Sequence, residues 1–262
     1  MISVWSQGVA DKNMPEAILV DALEKVRKHP WWHARAKLAL ALLEKHGIRP
    51  PASVADVGCG WGIELNALEQ AGYHTVGFDI SRHILELIDQ PKRCLVEADF
   101  NQTLPGEHAM FDALLALDVI EHLDDDRGAV MRMASLLQSG GMAIISVPAL
   151  PGLFSEFDEI QGHRRRYLPE TLRAAFKDTG LTVREIFWWG AWMVPVLRRM
   201  RVRSSKPDTR RKPAKTYVDY LHLPPWPVPV MMGWICAIEQ RRALKGRLRT
   251  GTSLFAVAVL KN

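Results

Sequence analysis

A glycine-rich loop at residues 58–62 constrains the fold of this 262-residue chain more than any other feature of its sequence. The segment before the loop, residues 53–57, predicts a buried strand, and residues 62–71 predict a helix. Residues 74–79 predict a second strand, which ends at Asp79. Because glycine has no Cβ, a ligand can lie directly on such a loop. The order of strand, loop, helix, strand and acid therefore predicts a nucleotide-like ligand whose ribose hydroxyls donate to Asp79.

The spacing of the loop separates it from a dinucleotide-binding fingerprint. Its glycines follow the pattern G-x-G-x-G, and Ile63 stands where that fingerprint has its third glycine. Asp56 precedes the loop, where an anion would repel a pyrophosphate but would suit a positively charged ligand. S-adenosylmethionine, with its sulfonium and ammonium groups, is such a ligand; the alternative is that Asp56 caps the loop amides. The cofactor contacts predicted in this segment are Asp56, Gly58, Gly60 and Gly62.

The composition is that of one enzyme domain with additions. With 48% hydrophobic and 24% charged residues the chain can bury a full core. The three cysteines lie far apart without metal-ligand spacing, so we expect a reducing, cytoplasmic compartment and no disulfide. The first residues lack the pattern of a signal peptide. No apolar run reaches the roughly 18–20 residues that span a bilayer, and the net charge of +5 permits an acidic partner without implying one.

Strands and helices alternate along most of the chain, and segments such as residues 113–117 are continuously apolar, as in a parallel sheet covered on both faces. Strands are predicted at 53–57, 74–79, 94–98, 111–117, 142–147, 181–188 and 253–260. The pattern predicts an α/β fold with a doubly wound, Rossmann-like, mainly parallel seven-stranded sheet and N-terminal helices. The predicted regions are an N-terminal helical cap (1–50), a cofactor-binding core (51–189), a long insertion before the last strand (190–250) and that strand (251–262).

Motifs beyond the loop strengthen the prediction. Ala98-Asp99-Phe100, the run Asp118-Val119-Ile120-Glu121-His122 and the segment 140–148 follow at the expected offsets. Together with the loop and Asp79 they resemble class I S-adenosylmethionine-dependent methyltransferases, in particular the branch that holds ubiquinone-type O-methyltransferases. Residues 156–158 and 162–167 resemble a segment of bacterial members with poorly defined substrates. The resemblance extends over most of the chain.

The resemblance implies S-adenosylmethionine as cofactor and S-adenosylhomocysteine as product, and it assigns roles to individual residues. Asp79 would bind the ribose and Ile80 would lie along the adenine, although a core role fits Ile80 nearly as well. Asp99 would meet the adenine amino group and Phe100 would cover the ring; the alternatives are a surface acid and core packing. The resemblance also assigns Asp118 to the cofactor site.

An N-terminal helix can close over the cofactor in related enzymes, and the cluster at residues 31–35 suits that role. Trp32 would pack on the cofactor, and Arg35 would bind its methionine carboxylate in a bidentate manner. The alternative is that the two tryptophans of this cluster dock the helix on the sheet.

Methyl transfer from a sulfonium needs no metal and no covalent intermediate, and we expect no metal. An oxygen or nitrogen nucleophile can still need a base, for which histidine is suited. The candidates are His163, which Asp158 could orient, and His122, which could equally be structural. Tyr167 is a candidate pocket residue. The three arginines at 164–166 form a solvated face, unless one binds a substrate anion.

The insertion carries two signals. Residues 198–215 are strongly basic and predict a flexible loop, whereas residues 224–238 are apolar and lead into a basic helix. Three interpretations stay open: a cover that completes the core, the wall of a hydrophobic substrate pocket, and contact of residues 190–245 with an anionic membrane surface. For the pocket wall the predicted substrate contacts are Trp226, Met231 and Trp234, since methionine and tryptophan suit an adaptable surface.

The sequence thus predicts an S-adenosylmethionine-dependent methyltransferase of a small or amphipathic metabolite, acting at oxygen, with nitrogen or carbon as alternatives. The basic insertion motivates a competing function, an RNA methyltransferase. Against that function, the chain has no recognised RNA-binding module and no interleaved strip of aromatic and basic residues, so we expect no nucleic-acid partner. A cofactor-binding protein without catalysis is the third class. The sequence does not indicate an oligomeric state.

Overall fold

A computed structural model describes residues 2–8, 14–105, 109–203, 217–219, 221–223 and 225–261, without the side chains of 200–203. Eight strands form one sheet within these residues. The strands are β1 (Ile2–Val4), β2 (Ser53–Val57), β3 (His74–Asp79), β4 (Cys94–Glu97), β5 (Phe111–Leu117), β6 (Leu137–Pro148), β7 (Leu181–Trp189) and β8 (Ser253–Leu260). The helices are α1 (Glu16–Lys28), α2 (Pro30–Lys45), α3 (Ile63–Gln70), α4 (Arg82–Ile88), α5 (Asp126–Ala134), α6 (Glu156–Ile160), α7 (Pro169–Ala174), α8 (Met193–Arg203) and α9 (Val228–Ala243).

The strand order across the sheet is β1-β4-β3-β2-β5-β6-β8-β7. Every pair from β1 to β6 is parallel, whereas β8 runs antiparallel between β6 and β7. This is the doubly wound, mainly parallel α/β fold that the alternation of strands and helices predicts, and the fold class is confirmed. The long connection between the last two strands is also present, since β7 ends at Trp189 and β8 begins at Ser253.

The sheet has one strand more than predicted. Residues Ile2–Val4 pair in parallel with Leu95–Glu97 of β4 and form an outer edge strand. The segment Ile2-Ser3-Val4 does alternate between apolar and polar residues, but three residues are too few for that alternation to predict a strand. The predicted N-terminal cap, residues 1–50, therefore contains a strand as well as the helices α1 and α2.

Helices cover both faces of the sheet. On one face the core includes Ala129 and Val130 of α5 and Leu172 of α7. On the other face it includes Leu38 and Leu42 of α2. The inner side of α9 joins this second cluster through Met232, Cys236 and Ala243, so part of the insertion completes the core. Within the part of the chain that the structure describes, no helix is both long and apolar enough to cross a bilayer.

The carboxyl ends of the parallel strands meet at one edge of the sheet. The loops that follow β2, β3, β4 and β5 lie there side by side, because neighbouring parallel strands end at the same edge. Helices α1 and α2 close this edge from the N-terminal side, through a cluster that joins Ile18 and Ala36 to Trp61 of the glycine loop. The edge is therefore the place where a ligand site is built.

Candidate functional site

A cavity of about 770 Å³ opens at the carboxyl edge of the sheet, within the size range of small-molecule sites. Many of the residues predicted from sequence line it. They are Trp32, Arg35, Gly58, Gly60, Asp79, Ile80, Asp99, Phe100, Asp118, His122 and His163. Two further predicted cofactor residues, Asp56 and Gly62, lie next to this lining but not in it.

Asp79 holds the glycine loop in place. Its Oδ2 accepts the N–H of Gly60 at 2.9 Å, and its Oδ1 accepts the N–H of Ser81 at 2.9 Å. Burial raises the pKa of Asp79, while these backbone donors act in the opposite direction. A carboxylate oxygen can accept more than one hydrogen bond, so both oxygens can also receive ribose hydroxyls. Asp79 therefore shapes the loop and can bind a ligand on it.

The loop conformation depends on glycine. Gly58, Gly60 and Gly62 all have positive φ, at 68°, 43° and 70°, a region that side chains other than glycine rarely adopt. A Cβ on Gly58 would stand 2.5 Å from Cγ2 of Val119, so packing also excludes a side chain there. Gly62 is the N-cap residue of α3.

Asp56 carries a buried oxygen without a partner. The residue is 2% exposed, and its Oδ2 has no hydrogen bond within the described residues. Burial and the neighbouring Glu64 raise the pKa of Asp56 well above its usual range, against the opposing effect of Arg35. An ionised Asp56 would be stabilised by a positive group nearby. The orphaned oxygen beside the loop thus fits a cationic ligand such as S-adenosylmethionine; capping of the loop amides by this oxygen is not observed.

The residues predicted at the adenine lie together at one end of the cavity. Asp99 accepts the backbone N–H of Asn101 at 2.9 Å and the amide of Gln102 at 3.0 Å, so it already orders its own turn. Phe100 is buried and packs edge-on against Phe78 with ring centroids 6.1 Å apart. Ile80 also lines the cavity. These contacts are compatible with both the ligand roles and the structural alternatives.

Arg35 joins two acids across the cavity wall. Its Nε donates to Oε1 of Glu64 at 3.0 Å, and its Nη1 donates to Asp118. Asp118 is held in turn by Ser146, whose hydroxyl donates to Oδ1 at 3.1 Å. Two edges of the guanidinium are therefore occupied by protein. Because Nε and Nη1 are both used in this way, they cannot bind the methionine carboxylate in the predicted bidentate manner. None of the described contacts involves Nη2, so this nitrogen could still donate to that carboxylate.

The two tryptophans of the N-terminal cluster divide the predicted roles. Trp32 borders the cavity and lies edge-on to Trp61 with ring centroids 6.0 Å apart. Trp31 also reaches the cavity, and it packs on Trp189 of β7 with ring centroids 4.1 Å apart. Trp31 therefore docks α2 on the sheet, whereas Trp32 is positioned to contact a cofactor.

Asp158 lies behind His163 and out of the cavity. Its Oδ1 is 3.1 Å from Nδ1 of His163 and accepts Nε–H of Arg166 at 2.6 Å. Its Oδ2 accepts the backbone N–H of Ser155, which begins α6. Burial by itself would raise the pKa of Asp158, but the hydrogen bonds from His163 and Arg166 outweigh it and hold the pKa below its usual range. Asp158 is thus an orienting anion, and the structure does not place it as a substrate contact.

His163 belongs to a buried group that sequence analysis did not assemble. Its Nε2 is 3.9 Å from Oε1 of Glu121, and its ring lies edge-on to His122 with centroids 4.8 Å apart. Both carboxylate oxygens of Glu121 and Nδ1 of His122 lack hydrogen bonds within the described residues. Burial, with Asp118 adding, raises the pKa of Glu121 well above its usual range. Burial also lowers the pKa of His122 to about 3, so its ring is neutral at physiological pH.

These three side chains could also hold a metal ion. Glu121, His122 and His163 each offer a ligand atom, and those atoms lie within 4.8 Å of one another. Imidazole and carboxylate are common ligands of divalent cations. We expected no metal from the sequence, where Glu121 is visible only as part of the motif at 118–122. The arrangement can therefore support proton transfer or cation binding.

Tyr167 does not face the cavity. It is 2% exposed, and its hydroxyl donates to Oδ2 of Asp126 at 2.8 Å within the main core cluster. The prediction that Tyr167 is a pocket residue is wrong, since the residue does not line the cavity. Its hydroxyl has a hydrogen-bond partner, and an aromatic ring so satisfied packs well in a core. The neighbouring arginines order loops: Arg164 and Arg165 bind Asp124, and Arg166 binds Asp158. Arg164 and Arg165 are partly solvated, as the first alternative predicts, whereas Arg166 lines the cavity but is paired with Asp158.

The residues of the insertion that line the cavity are not the ones predicted. Trp226, Met231 and Trp234 lie on the solvent side of the chain, 80%, 56% and 70% exposed, and none lines the cavity. The side chains of the insertion that line the cavity include Met193 and Leu197 of α8 and Met232 of α9. The helix turns Met231 outward and Met232 inward, and a nearly uniform apolar run does not reveal that rotation. The segment predicted as a flexible loop, 198–215, is not a loop in its described part: residues 198–203 continue helix α8, so the prediction is wrong there. Residues 204–215 lie outside the described residues.

Two other cavity residues were missed. Glu64 stands in the first turn of α3, where an acid is common for local electrostatic reasons and gives no functional signal. Trp61 lines the cavity and donates its indole N–H to the carbonyl of Leu19 in α1 at 2.7 Å. It occupies a variable position of the G-x-G-x-G pattern, so the spacing of the glycines does not indicate it.

Comparisons with known proteins agree with this geometry. A family described as a methyltransferase domain matches residues 31–186, more than half of the chain. The ubiquinone biosynthesis O-methyltransferase of Chromobacterium violaceum is 26% identical over 136 residues, which cover 45% of this chain and 57% of that protein. The probable tRNA methyltransferase 9B of Bos taurus is 33% identical over 105 residues, which cover 39% of this chain and 22% of that protein. The chain thus spans about half the length of the ubiquinone relatives that it matches, and less of the tRNA relative.

A solved structure has the same fold. Phosphoethanolamine N-methyltransferase 2 of Haemonchus contortus, in complex with S-adenosyl-L-methionine, superposes with a TM-score of 0.52 at 18% identity. The superposition covers 85% of this chain and 52% of that one. At this identity the likeness concerns the fold.

Proposed function

The chain belongs to the S-adenosylmethionine-dependent methyltransferases, and from that premise we propose that it methylates an oxygen of a small or amphipathic acceptor. S-adenosylmethionine is the cofactor of this family, so the donor is settled and the acceptor is the open question. The observation that carries the proposal is the pair formed by Asp158 and His163, with a distance of 3.1 Å between Oδ1 and Nδ1, at the wall of the cofactor cavity.

The residues around the loop fit the cofactor. Asp79 would accept the ribose hydroxyls, and Asp99 with Phe100 would hold the adenine end. The orphaned oxygen of Asp56 and the nearby Glu64 would favour the positive methionine end. When bound, S-adenosylmethionine supplies an activated methyl group on a sulfonium, so the protein needs no nucleophile of its own. Its task is to exclude water and to align the acceptor with the methyl–sulfur bond.

The proton of the acceptor hydroxyl is the part of the reaction that this chain must handle. With the Nδ1–H of His163 donated to Asp158, Nε2 is left as the proton acceptor. The acceptor hydroxyl would donate to Nε2, and its proton would pass there as the oxygen–methyl bond forms. The carboxylate of Asp158 then stabilises the imidazolium. General base catalysis of this kind contributes roughly 10²–10⁴ in rate.

The far wall of the cavity supports an acceptor with an apolar body. Met193, Leu197 and Met232 form it together with Phe154 and Phe157 near α6. Methionine side chains adapt to irregular apolar ligands. A polar head near His163 and an apolar body against this wall would place a hydroxylated, amphipathic molecule with its oxygen toward the cofactor.

The unpartnered atoms of Glu121 and His122 favour a second role for the same group of side chains. A divalent cation held by Glu121, His122 and His163 would satisfy these buried atoms and would occupy the ring that the first proposal uses as a base. The two roles exclude each other at His163, since a metal-bound Nε2 cannot accept a proton. Chelation therefore separates them.

The test is methyl transfer from radiolabelled S-adenosylmethionine to a panel of phenols and catechols with and without alkyl tails, and to tRNA. We expect transfer to a hydroxylated amphipathic compound and no transfer to tRNA. Label on tRNA would overturn the acceptor proposal in favour of an RNA methyltransferase. Binding of S-adenosylhomocysteine without transfer to any class of acceptor would favour a non-catalytic protein.

The same assay, carried out after removal of metal ions, separates the base from the metal role. Dialysis against EDTA should leave turnover unchanged if His163 is a proton acceptor. Loss of turnover that Mg²⁺ or Zn²⁺ restores, with unchanged affinity for S-adenosylhomocysteine, would overturn the role of His163 as base and assign the group to a metal.

A further inference from the structure

Helix α9 carries an apolar surface that faces away from the protein. We define its outer face as Val230, Met231, Trp234, Ile235 and Ile238 of the helix, together with Trp226, which precedes the helix. Trp226 is 80% exposed, Trp234 is 70% exposed and Ile238 is 58% exposed. Single exposed apolar side chains are ordinary, but a contiguous group of this size on one helix marks an interaction surface.

Packing of the helix does not require this outer face. The inner side of α9 is already docked, with Met232, Cys236 and Ala243 buried against the cluster that holds α2 and β7. Glu239 is buried on the same side and accepts the backbone N–H groups of Gly190 and Ala191. The outer residues recur about three and four positions apart, at 231, 234, 235 and 238, so they form one stripe along the helix.

Positively charged residues follow the apolar stripe along the chain. Residues 241, 242, 245, 247 and 249 are Arg or Lys and are all exposed. The one acid between residues 225 and 249 is Glu239, which is buried on the inner side. No salt bridge formed within the described residues involves these five cations. Residues 225–249 are therefore apolar at one end, cationic at the other, and contribute no exposed anion of their own.

We propose that this outer face docks on an anionic phospholipid bilayer. A helix that lies in the plane of the membrane buries tryptophan and aliphatic side chains at the level of the headgroups and places lysine and arginine against anionic lipid. The order of residues on α9 matches both requirements. A second copy of the chain would complement the surface poorly, because two such faces bring five cations each and no exposed acid. Nucleic acid would leave the aliphatic residues without a partner.

The inner side of the same helix links this surface to the cavity. Met232 lines the cavity wall while its neighbour Met231 stands on the outer face. A docked α9 would hold that wall close to the bilayer, where an amphipathic acceptor is dissolved. This delivery of acceptor rests on the proposed function, whereas the binding of vesicles does not.

Flotation with phospholipid vesicles tests the proposal without acceptor or cofactor. The protein should float with vesicles that contain phosphatidylglycerol and much less with pure phosphatidylcholine, and high salt should reduce binding. The apolar variant Met231→Ser with Trp234→Ser and the charge variant Arg241→Glu with Arg242→Glu should each lose at least about tenfold in vesicle partitioning. Affinity for S-adenosylhomocysteine should stay unchanged in both variants, which shows that they are folded.

Matched controls lie elsewhere on the surface. Met131 of α5 is 52% exposed, and Arg173 and Lys177 are exposed near α7. Met131→Ser, and Arg173→Glu with Lys177→Glu, should bind vesicles as well as the original protein. Equal loss in controls and α9 variants would overturn the proposal, and so would absence of vesicle binding. Reversible dimers in ultracentrifugation that Met231→Ser with Trp234→Ser abolishes, without vesicle binding, would assign the face to self-association instead.

Discussion

The carboxylate of Asp158 lies 3.1 Å from Nδ1 of His163, and His163 lines the cavity whereas Asp158 does not. The same oxygen accepts Nε–H of Arg166, which keeps the carboxylate ionised and fixed. The ring of His163 is therefore oriented through Nδ1, while its Nε2 lies 3.9 Å from Oε1 of Glu121.

His163→Ala should reduce turnover by about 10²–10⁴ if its ring is the base. Affinity for S-adenosylhomocysteine, measured by calorimetry, should stay unchanged, because the ring does not hold the cofactor loop. His83→Ala, at an exposed position of α4, is the control and should retain full turnover. Normal turnover of His163→Ala would leave proximity alone as the source of rate.

Asp158→Asn should act through His163. We expect kcat to fall by at least about tenfold. An asparagine amide, unlike the carboxylate, does not hold the His163 ring in the tautomer whose Nδ1–H points toward residue 158. KM for S-adenosylmethionine should change by less than about twofold, since Asp158 does not reach the cavity. A rise of KM with kcat unchanged would show that Asp158 acts on binding and not on the base.

Asp79→Ala should lower the affinity for S-adenosylhomocysteine by at least about tenfold, because hydrogen bonds to a charged acceptor contribute about 1.5–3 kcal/mol each. The loop should also loosen, since Asp79 accepts the N–H of Gly60. Isothermal calorimetry measures the affinity, and the melting temperature of the free protein reports the loop. Asp89→Ala, at an exposed position after α4, is the control. An unchanged dissociation constant would show that the ribose is held elsewhere.

Arg35→Met should destabilise the fold by about 3–5 kcal/mol, because it leaves buried Glu64 without its charged partner. The melting temperature measures this loss, and Arg49→Met on the surface is the control. Adding Glu64→Gln to Arg35→Met should restore part of the stability, since the uncompensated charge is then removed. Failure of that second change to recover any stability would contradict the assigned ion pair.

Met232→Ala and Met231→Ala form a matched pair on α9. Met232 lines the cavity, so its truncation should raise the acceptor KM by about tenfold, the equivalent of about 1–2 kcal/mol of apolar contact. Met231 is exposed, and its truncation should leave that KM unchanged. Initial rates with the acceptor found in the panel measure both. An equal effect of the two changes would contradict the orientation of the helix.

His29 predicts part of the pH dependence of stability. Its Nδ1 accepts the N–H of Trp31 at the start of α2, and burial together with nearby His33 lowers its pKa to about 4. The unfolded chain therefore binds this proton at higher pH than the folded chain, and stability falls as the pH drops from about 6.5 to about 4. The loss should be on the order of 1–3 kcal/mol at the acidic end.

His29→Asn isolates this effect, because asparagine also caps a helix but does not titrate. The variant should lose less stability than the original protein between about pH 7 and about pH 5 in chemical denaturation. Buried acids such as Asp79, whose pKa is raised, act in the opposite direction and are common to both proteins. Parallel pH curves for the two proteins would show that the pKa of His29 is the same in the folded and the unfolded chain.

Local signals account for what the sequence predicted correctly. The alternation of apolar strands with helices defines the sheet, and the glycine loop with Asp79 marks the edge where the cavity opens. These features depend on neighbouring residues, so they are readable from one chain. The placement of Asp99 and Asp118 follows from the same rule, because both stand at the ends of parallel strands.

Long-range contacts account for the rest. Glu64 and Glu121 become site residues only through the loops that meet them, and their own neighbours carry no distinguishing pattern. The inward rotation of Met232 is hidden because nearly every residue from 228 to 238 is apolar, which removes the periodic signal. Tyr167 was misassigned for the related reason that a buried hydroxyl and a pocket hydroxyl look alike in sequence.

The antiparallel strand β8 lies between β6 and β7, although it is made more than a hundred residues after β6. During synthesis, β6 presents the apolar segment Met142–Pro148 at an open edge, and β7 has no partner until β8 leaves the ribosome. Open, apolar strand edges are the surfaces through which nascent chains aggregate or recruit chaperones. A ribosome that pauses before residue 253 would therefore prolong this vulnerable state, so the yield of folded protein should depend on the speed of translation through the insertion.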